Sequence, residues 1–339
     1  MKFKQVVLAS RPDGAASVGN FSVVDAEIQA LAENEVLIKV SHFSLDPYMR
    51  GRMDDSKSYA APVPIGGVME GEGVGTVVES RDPRFNIGDI VKGRTGWTQY
   101  SILDGDSLLN ISGTHAKPTT ALGVLGMPGF TGWFGLNHFG RPKNGETLVV
   151  GAASGPVGSM VGQLAEQYGL KAIGIAGSEE KCALVKNEFG FSECLNHRSF
   201  SSAKDLRSSL NSVATDGVDI YFENVGGLVL NSVLPLMNDF GRIPVCGTIA
   251  WYDQKQSEDN MDLSKVWRSI LVKRLSINGF IILNHWDLYP KFLSEVGPLV
   301  NNEKIKYVED IVDGIENAPT AFLGLLEGKN LGKLLVRVN

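Results

Sequence analysis

The sequence predicts an α/β protein made of two units, one β-rich and one a doubly wound parallel sheet. Three observations predict it. The first ~110 residues alternate apolar and polar positions between frequent Gly and Pro turns. From about Thr147 onward, apolar strands alternate with amphipathic helices, the pattern of a parallel sheet with crossover helices. Between one such strand and one such helix lies a loop of small residues, Gly151 to Gly158. The length of 339 residues suits about two domains at roughly 150 residues each.

In the β-rich part, Glu35–Ser44 reads as a strand. Gly71–Ser80 reads as a strand whose glycines permit bulges or close backbone approach, and Phe85–Gly93 as a turn followed by a strand. Many short strands of this kind suggest a closed or sandwiched β-unit. In the second part, Thr147–Ala153, Lys171–Gly177, Val218–Val225 and Arg242–Gly247 read as strands, with Leu275–Ile282 as a last one. Gly155–Gly169 and Ser178–Gly190 read as helices, the latter with Ser178 as N-cap. The tail, Leu331–Asn339, returns to strand texture and is expected to rejoin the N-terminal unit. The boundaries expected from these textures are 1–125, 126–290 and 291–339, the last returning to the first unit.

A hydrophobic fraction of 43% supports large cores and rules out global disorder. With 32 basic and 38 acidic residues the net charge is −6, which argues against nucleic-acid binding and anionic membranes. The apolar run Val6–Ala9 is too short for a signal-peptide core. The uncharged stretch Ala121–His138 falls short of the ~20 apolar residues of a membrane span and reads as a buried Gly-rich segment. The three cysteines, Cys182, Cys194 and Cys246, have no metal-ligand spacing and read as reduced thiols of a cytoplasmic protein.

The loop Ala152–Gly158 has the context of a dinucleotide fingerprint. A buried-type strand enters it and a helix leaves it. Small residues let the backbone approach a pyrophosphate, and the helix start presents free N–H groups and a positive dipole end. Gly155 and Gly158 fit the second and third fingerprint positions, and Ala153 stands at the first. The second strand ends Ile175-Ala176-Gly177-Ser178, without the carboxylate that usually binds a ribose 2′-OH. Glu179 and Glu180 follow but begin a helix, where acids suit the dipole anyway. Lys181 lies within reach of a 2′-phosphate, and His197 and Arg198 add basic groups after the third strand. Together these features favour NADPH over NADH.

Both familiar means of polarising a carbonyl are missing. No cysteine precedes Cys182, and the five histidines form no HExxH pair, so a zinc-dependent alcohol dehydrogenase is rejected. No tyrosine has a lysine four residues on. What remains is chemistry that asks less of an acid. Hydride addition to the β-carbon of an enone places charge on an enolate, which one or two preorganised hydroxyls stabilise. The α-carbon then takes a proton from a tyrosine or from water.

A set of blocks in order now carries a resemblance. They are Leu45-Asp-Pro-Tyr-Met-Arg50, Gly126-Met-Pro-Gly-Phe-Thr131, Ala152–Gly158, Tyr221-Phe-Glu-Asn-Val-Gly-Gly227, Cys246–Tyr252, Gly279-Phe-Ile-Ile282 and Glu327-Gly-Lys-Asn-Leu-Gly-Lys333. From about Val36 to its C-terminus the chain resembles the zinc-independent medium-chain dehydrogenase/reductases. Within them it resembles the leukotriene B4 12-hydroxydehydrogenase, prostaglandin reductase and alkenal double-bond reductase group, which includes bacterial curcumin reductases. The resemblance implies a GroES-like catalytic domain, a Rossmann domain inserted in it and a cleft between them. It implies that Ser154, Gly155, Pro156, Val157 and Gly158 hold the pyrophosphate, and that Gly177, Lys181 and His197 surround the 2′-phosphate. Asn224 and Cys246, Gly247, Thr248, Ile249 and Tyr252 would line the cofactor. Phe280, Ile281 and Ile282 would meet the nicotinamide carboxamide through backbone groups, Asn330 would reach the cofactor, and Tyr48 and Tyr252 would face the substrate.

One departure stands out. Many members carry Tyr after Asn196, where this chain has His197. A protonated histidine would strengthen the phosphate contact, so NADPH affinity is expected to fall as pH rises through the histidine pKa.

The expected reaction is NADPH-dependent reduction of an alkenal or enone C=C bond, with the enolate held by Tyr252 and a cofactor ribose hydroxyl. Two alternatives stay open, namely quinone reduction on the same zinc-free scaffold and NADPH binding without useful catalysis. Trp251 and Tyr252 could be packing aromatics, Tyr48 could shape a turn after Pro47, Met127 and Trp133 read as core, and Arg50 and Arg52 as structural or solvated. An apolar edge at Leu275–Ile282 suggests a homodimer. Substrate choice rests on loops such as Arg52–Pro64 and Trp251–Asp262.

Overall fold

The computed structural model describes residues 1–114, 117–253 and 262–338. His115 and residues 254–261 of the second pocket loop lie outside them. The chain divides into two units, Met1–Gly123 with Tyr252–Gln254 and Glu309–Asn339, and Val124–Trp251 with Lys255–Val308.

The second unit is a six-stranded parallel sheet. In chain order its strands are Thr147–Gly151, Lys171–Ala176, Glu193–Asn196, Val218–Phe222, Met237–Val245 and Ser276–Gly279. In space they run third, second, first, fourth, fifth, sixth, the order of a Rossmann domain. Apolar runs form these strands because both faces are covered. Leu148 and Val150 face one core with Phe130, Phe134 and Met160, while Val149 faces the other with Ile173, Leu210 and Val233. The helix Pro156–Gln167 starts and stops close to its expected bounds, and so does Glu179–Asn187. Ser178 caps the latter, its hydroxyl accepting from the Lys181 N–H at 3.2 Å. The stretch 121–138 is largely buried and contains the helix Met127–Phe134.

Close packing of the Pro156–Gln167 helix depends on Gly162. A Cβ there would overlap the ring of buried Phe191. Gly162→Ala is expected to destabilise the protein by about 1–3 kcal/mol, the usual cost of overpacking. The ~1 kcal/mol of helix propensity that Ala gains over Gly opposes it. A urea midpoint equal to or above that of the parent would contradict this.

The first unit centres on a seven-stranded sheet. Glu309–Asp313, Lys333–Arg337, Glu35–Ser44, Gly73–Ser80, Ile90–Gly93 and Leu109–Asn110 follow one another across it, and Tyr100–Asp104 also pairs with Glu35–Ser44. Lys2–Leu8 and Phe21–Glu27 form a separate antiparallel pair. The tail does rejoin this unit, with Leu335 opposite Ser44. Trp97, fully buried, stacks on Phe21 and Phe43 at 5.7 and 6.0 Å.

The division differs from the expected boundaries at the return. The helix Tyr289–Asn301 buries Tyr289, Phe292, Val296 and Val300 in the core that holds Phe130. The Tyr289 hydroxyl also donates to the Leu125 carbonyl at 2.6 Å. Residues 291–308 therefore belong to the parallel-sheet unit, and Tyr252 and Asp253 to the first unit.

Candidate active site

In a doubly wound sheet, ligands bind beyond the carboxyl ends of the strands where the strand order reverses. Here the reversal lies between Thr147–Gly151 and Val218–Phe222, and their ends are tied together. Asn224 Nδ2 donates to the Gly151 carbonyl at 2.8 Å. The loop after Gly151 turns back on itself, with Gly155 N–H donating to the Ala152 carbonyl at 3.0 Å. Ser154 is buried, and Pro156 opens the helix, where its missing N–H costs nothing. No side chain caps this helix and no acid stands in its first turn. Its first N–H groups, at Val157 and Gly158, are thus left for an anion. At Gly158 a Cβ would lie 2.5 Å from the Ala152 carbonyl oxygen, so only glycine allows this helix–strand approach.

Basic residues gather at the end of the second strand. A Cβ on Gly177 would lie 3.5 Å from both His197 Nε2 and Arg198 Nε. Lys181 sits in the first turn of the following helix, close enough that its charge bears on His197. Glu179 is engaged elsewhere, accepting from Asn196 Nδ2 at 2.9 Å and Ser199 Oγ at 3.4 Å. A strand tip with the two cations Lys181 and Arg198, and with Glu179 turned to other partners, suits a ribose 2′-phosphate better than a bare 2′-hydroxyl.

The structure corrects the expected pH dependence. Burial, then Arg198 and Lys181, depress the His197 pKa to about 4. Between pH 5.5 and 8 the free protein therefore holds His197 neutral, and the positive charge near Gly177 comes from Lys181 and Arg198. A histidine folded with a pKa near 4 and unfolded near 6.5 stabilises the fold above pH 6.5. That contribution is lost as pH falls from 6.5 through 4. The urea midpoint is expected to drop over this window, and His197→Asn to flatten the drop; an unchanged slope would remove His197 as its cause.

Glu223 organises the neighbouring wall, a role the sequence reading missed. Its buried carboxylate accepts from the N–H groups of Val225 at 2.6 Å and Gly226 at 2.9 Å. Its carbonyl accepts from Cys246 N–H at 2.9 Å and Gly247 N–H at 3.2 Å. Burial raises the Glu223 pKa, opposed by its backbone donors. Burial and Glu223 together push the Cys246 thiol up to about 12, so it is no nucleophile at neutral pH. Ile249 N–H donates to the Asn224 carbonyl at 3.3 Å, and the Thr248 carbonyl accepts from Trp251 N–H at 2.9 Å. Asn224 and Cys246–Ile249 are thereby brought together. Phe280 packs on Phe134 and Phe139, and Ile282 is buried, while the Ile281 carbonyl accepts from Asn284 at 3.0 Å.

The other expected residues belong to the first unit. Asn330 Nδ2 donates to the Gly332 carbonyl at 2.8 Å. Tyr48 stands half-buried in the segment Pro47–Met53 with the Arg52 guanidinium 5.8 Å from its ring centroid. Burial, then Asp46, Glu70 and Glu72, hold its pKa well above 10, so it remains a hydrogen-bond donor at any working pH. Tyr252 is half-buried and directly precedes Asp253, an acid the sequence reading did not single out. Among the described residues no group of three or more His, Cys, Asp and Glu is placed to hold a metal.

Comparison with known proteins identifies the family. Residues 4–111 match the family model described as the N-terminal domain of oxidoreductase, and residues 156–297 the one described as zinc-binding dehydrogenase. NADPH-dependent curcumin reductase of Escherichia coli is 46% identical over 98% of this chain and 96% of its own. The NADP(+)-dependent 2-alkenal reductase of Nicotiana tabacum is 40% identical over 99% and 97%. The crystal structure of CurA from Vibrio vulnificus in complex with NADPH superposes with a TM-score of 0.93 at 46% identity, covering 99% of each chain. These matches, each spanning nearly the whole of both chains, place the chain in the zinc-independent medium-chain dehydrogenase/reductase family.

Proposed function

We propose that the protein reduces the C=C bond of α,β-unsaturated aldehydes and ketones with NADPH. The observation that carries the cofactor is the basic cluster at the end of the second strand, His197 and Arg198 beside Gly177 with Lys181 near His197. Relatives named as curcumin and 2-alkenal reductases support the substrate class.

Ser154 to Gly158 hold the pyrophosphate, and Lys181, His197 and Gly177 the 2′-phosphate. Asn224, Cys246, Gly247, Thr248 and Ile249 line the cofactor, Phe280 to Ile282 meet its carboxamide through backbone groups, and Asn330 meets it from the C-terminal segment. When bound, NADPH would supply a hydride for the substrate β-carbon and a ribose hydroxyl as a further donor to the carbonyl oxygen. The Tyr252 hydroxyl donates to that oxygen as it becomes an enolate. Tyr48 keeps its proton and presents a second donor. The α-carbon takes its proton from tyrosine or solvent.

Following NADPH absorbance with an enal or enone, and identifying the product by mass and NMR, tests this. A saturated carbonyl compound is expected. An allylic alcohol would overturn the reading by showing hydride delivery to the carbonyl carbon, and turnover confined to quinones would replace the substrate class.

The quaternary reading is a homodimer formed at the sheet edge. Ser276–Gly279 is the outermost strand, and Ile277 on it is 41% exposed. Light scattering at low concentration is expected to give twice the 36.6 kDa chain mass, and a single-chain mass would reject it. We also assign the protein to the cytoplasm. Its three cysteines are all free, and no helix among the described residues is long and apolar enough to cross a membrane.

A further inference from the structure

Arg50 is fully buried, and its guanidinium is satisfied in three directions. Nε donates to Asp253 Oδ1 at 3.0 Å, Nη1 to Asp54 Oδ1 at 2.7 Å and Nη2 to the Gly14 carbonyl at 2.7 Å. Asp253 Oδ1 also accepts from the Ala16 N–H at 3.4 Å. The segment Pro47–Met53, the loop at Gly14–Ala16 and Asp253, 203 residues downstream of Arg50, are thus tied at one carboxylate. All of these residues lie in the first unit. A buried ion pair is a poor source of stability, because desolvation of both partners offsets much of their attraction. What this pair does provide is position. A planar fork with fixed donor directions holds Asp253 in one place, and the residue joined to Asp253 by one peptide bond is Tyr252.

We propose that Arg50, acting through Asp253, is a positioning residue for the Tyr252 phenol. This rests on the role given to Tyr252 under Proposed function. The ion pair fixes the backbone at 252–253, and a fixed backbone restricts where the hydroxyl reaches. Arg52 has the corresponding place beside the other tyrosine. Its Nε donates to Glu70 Oε1 at 2.8 Å while its guanidinium lies near the rings of Tyr48 and Tyr59.

The test begins with Asp253→Asn. It removes the charge at Asp253 and leaves Arg50 paired with Asp54 and Gly14, so the buried cation is not stranded. The expected result is faster hydrogen exchange at the amides of 251–253, a kcat about tenfold lower and an unchanged NADPH Kd. In a Tyr252→Phe background the same substitution is expected to lower kcat by less than about twofold, since the group it positions is gone. Asp253→Glu, which restores the carboxylate, is expected to recover part of the loss. Arg50→Lys, which keeps the charge and loses the fork, is read by the same measurements.

Unchanged exchange at 251–253 would overturn the proposal, as would an equal fold-loss of kcat with and without the Tyr252 hydroxyl. Failure of the underlying reading looks different. Tyr252→Phe would then retain full turnover while exchange in Asp253→Asn still rose, removing the tyrosine from catalysis and the catalytic part of this proposal with it.

Discussion

Replacing Tyr252 with Phe is expected to lower kcat about a hundredfold while the NADPH Kd stays within about twofold. The substitution removes one oxygen and its proton and preserves the ring, so packing changes little. The lost donor matters only when charge develops on the substrate oxygen. Its removal should therefore reduce kcat and kcat/KM together, the signature of an interaction made in the transition state. Removing one such donor typically costs about 2.7–4 kcal/mol where water is excluded, and a hundredfold loss is the lower end of that range. Tyr48→Phe provides the comparison. With no other acid of suitable type assigned to the oxygen, a full kcat in both single variants and the double variant would move enolate stabilisation entirely off the tyrosines.

Lys181→Ala is expected to raise the NADPH Kd roughly ten- to a hundredfold and to leave the NADH Kd nearly unchanged. A charge-assisted hydrogen bond to a phosphate contributes about 1.5–3 kcal/mol, and each 1.4 kcal/mol is a factor of ten. The effect is specific because the Ser178 cap fixes where the helix begins, which sets Lys181 in its first turn, near His197. Arg198 and neutral His197 remain, so binding weakens without vanishing. Isothermal titration with both cofactors checks it. Equal weakening toward NADPH and NADH would mean that Lys181 supports the helix start instead of reading the phosphate.

How legible each part was in the sequence follows from how local its cause is. The strands Glu35–Ser44, Thr147–Gly151 and Lys171–Ala176 emerge within a residue or two of their expected bounds because an apolar run or alternation encodes each on the spot. The Ser178 cap and the glycine at 158 are local for the same reason. The fifth strand is a contrast. It begins at Met237, before the expected Arg242, and passes through Phe240 with a φ of 62°, a conformation the residue type does not announce. The helix Tyr289–Asn301 has a clear apolar face, but periodicity does not say which core receives it, hence the misplaced boundary at 290. The site divides in the same way. The phosphate loop and its basic neighbours are contiguous or nearly so and could be read directly. Arg50 could be read only as structural or solvated, because Asp253 lies 203 positions away and contributes no local pattern. The depressed His197 pKa depends on burial and on two cations arriving from different elements, which moves the expected titration out of the neutral range.

The strand Lys333–Arg337 lies between Glu309–Asp313 and Glu35–Ser44 in the interior of the first unit's sheet. A ribosome making this chain therefore releases the parallel-sheet unit, complete by residue 308, before the first unit can close. During that interval the end of Glu35–Ser44, at His42–Ser44, lacks the partner that Leu335–Arg337 provide, and Leu334 and Val336 do not yet exist to join the core that holds Phe43. The later-encoded unit matures first, the reverse of the usual vectorial order. The nascent N-terminal half thus keeps residues 42–44 unpaired until Lys333–Arg337 is made, an exposed strand end that a chaperone would shield.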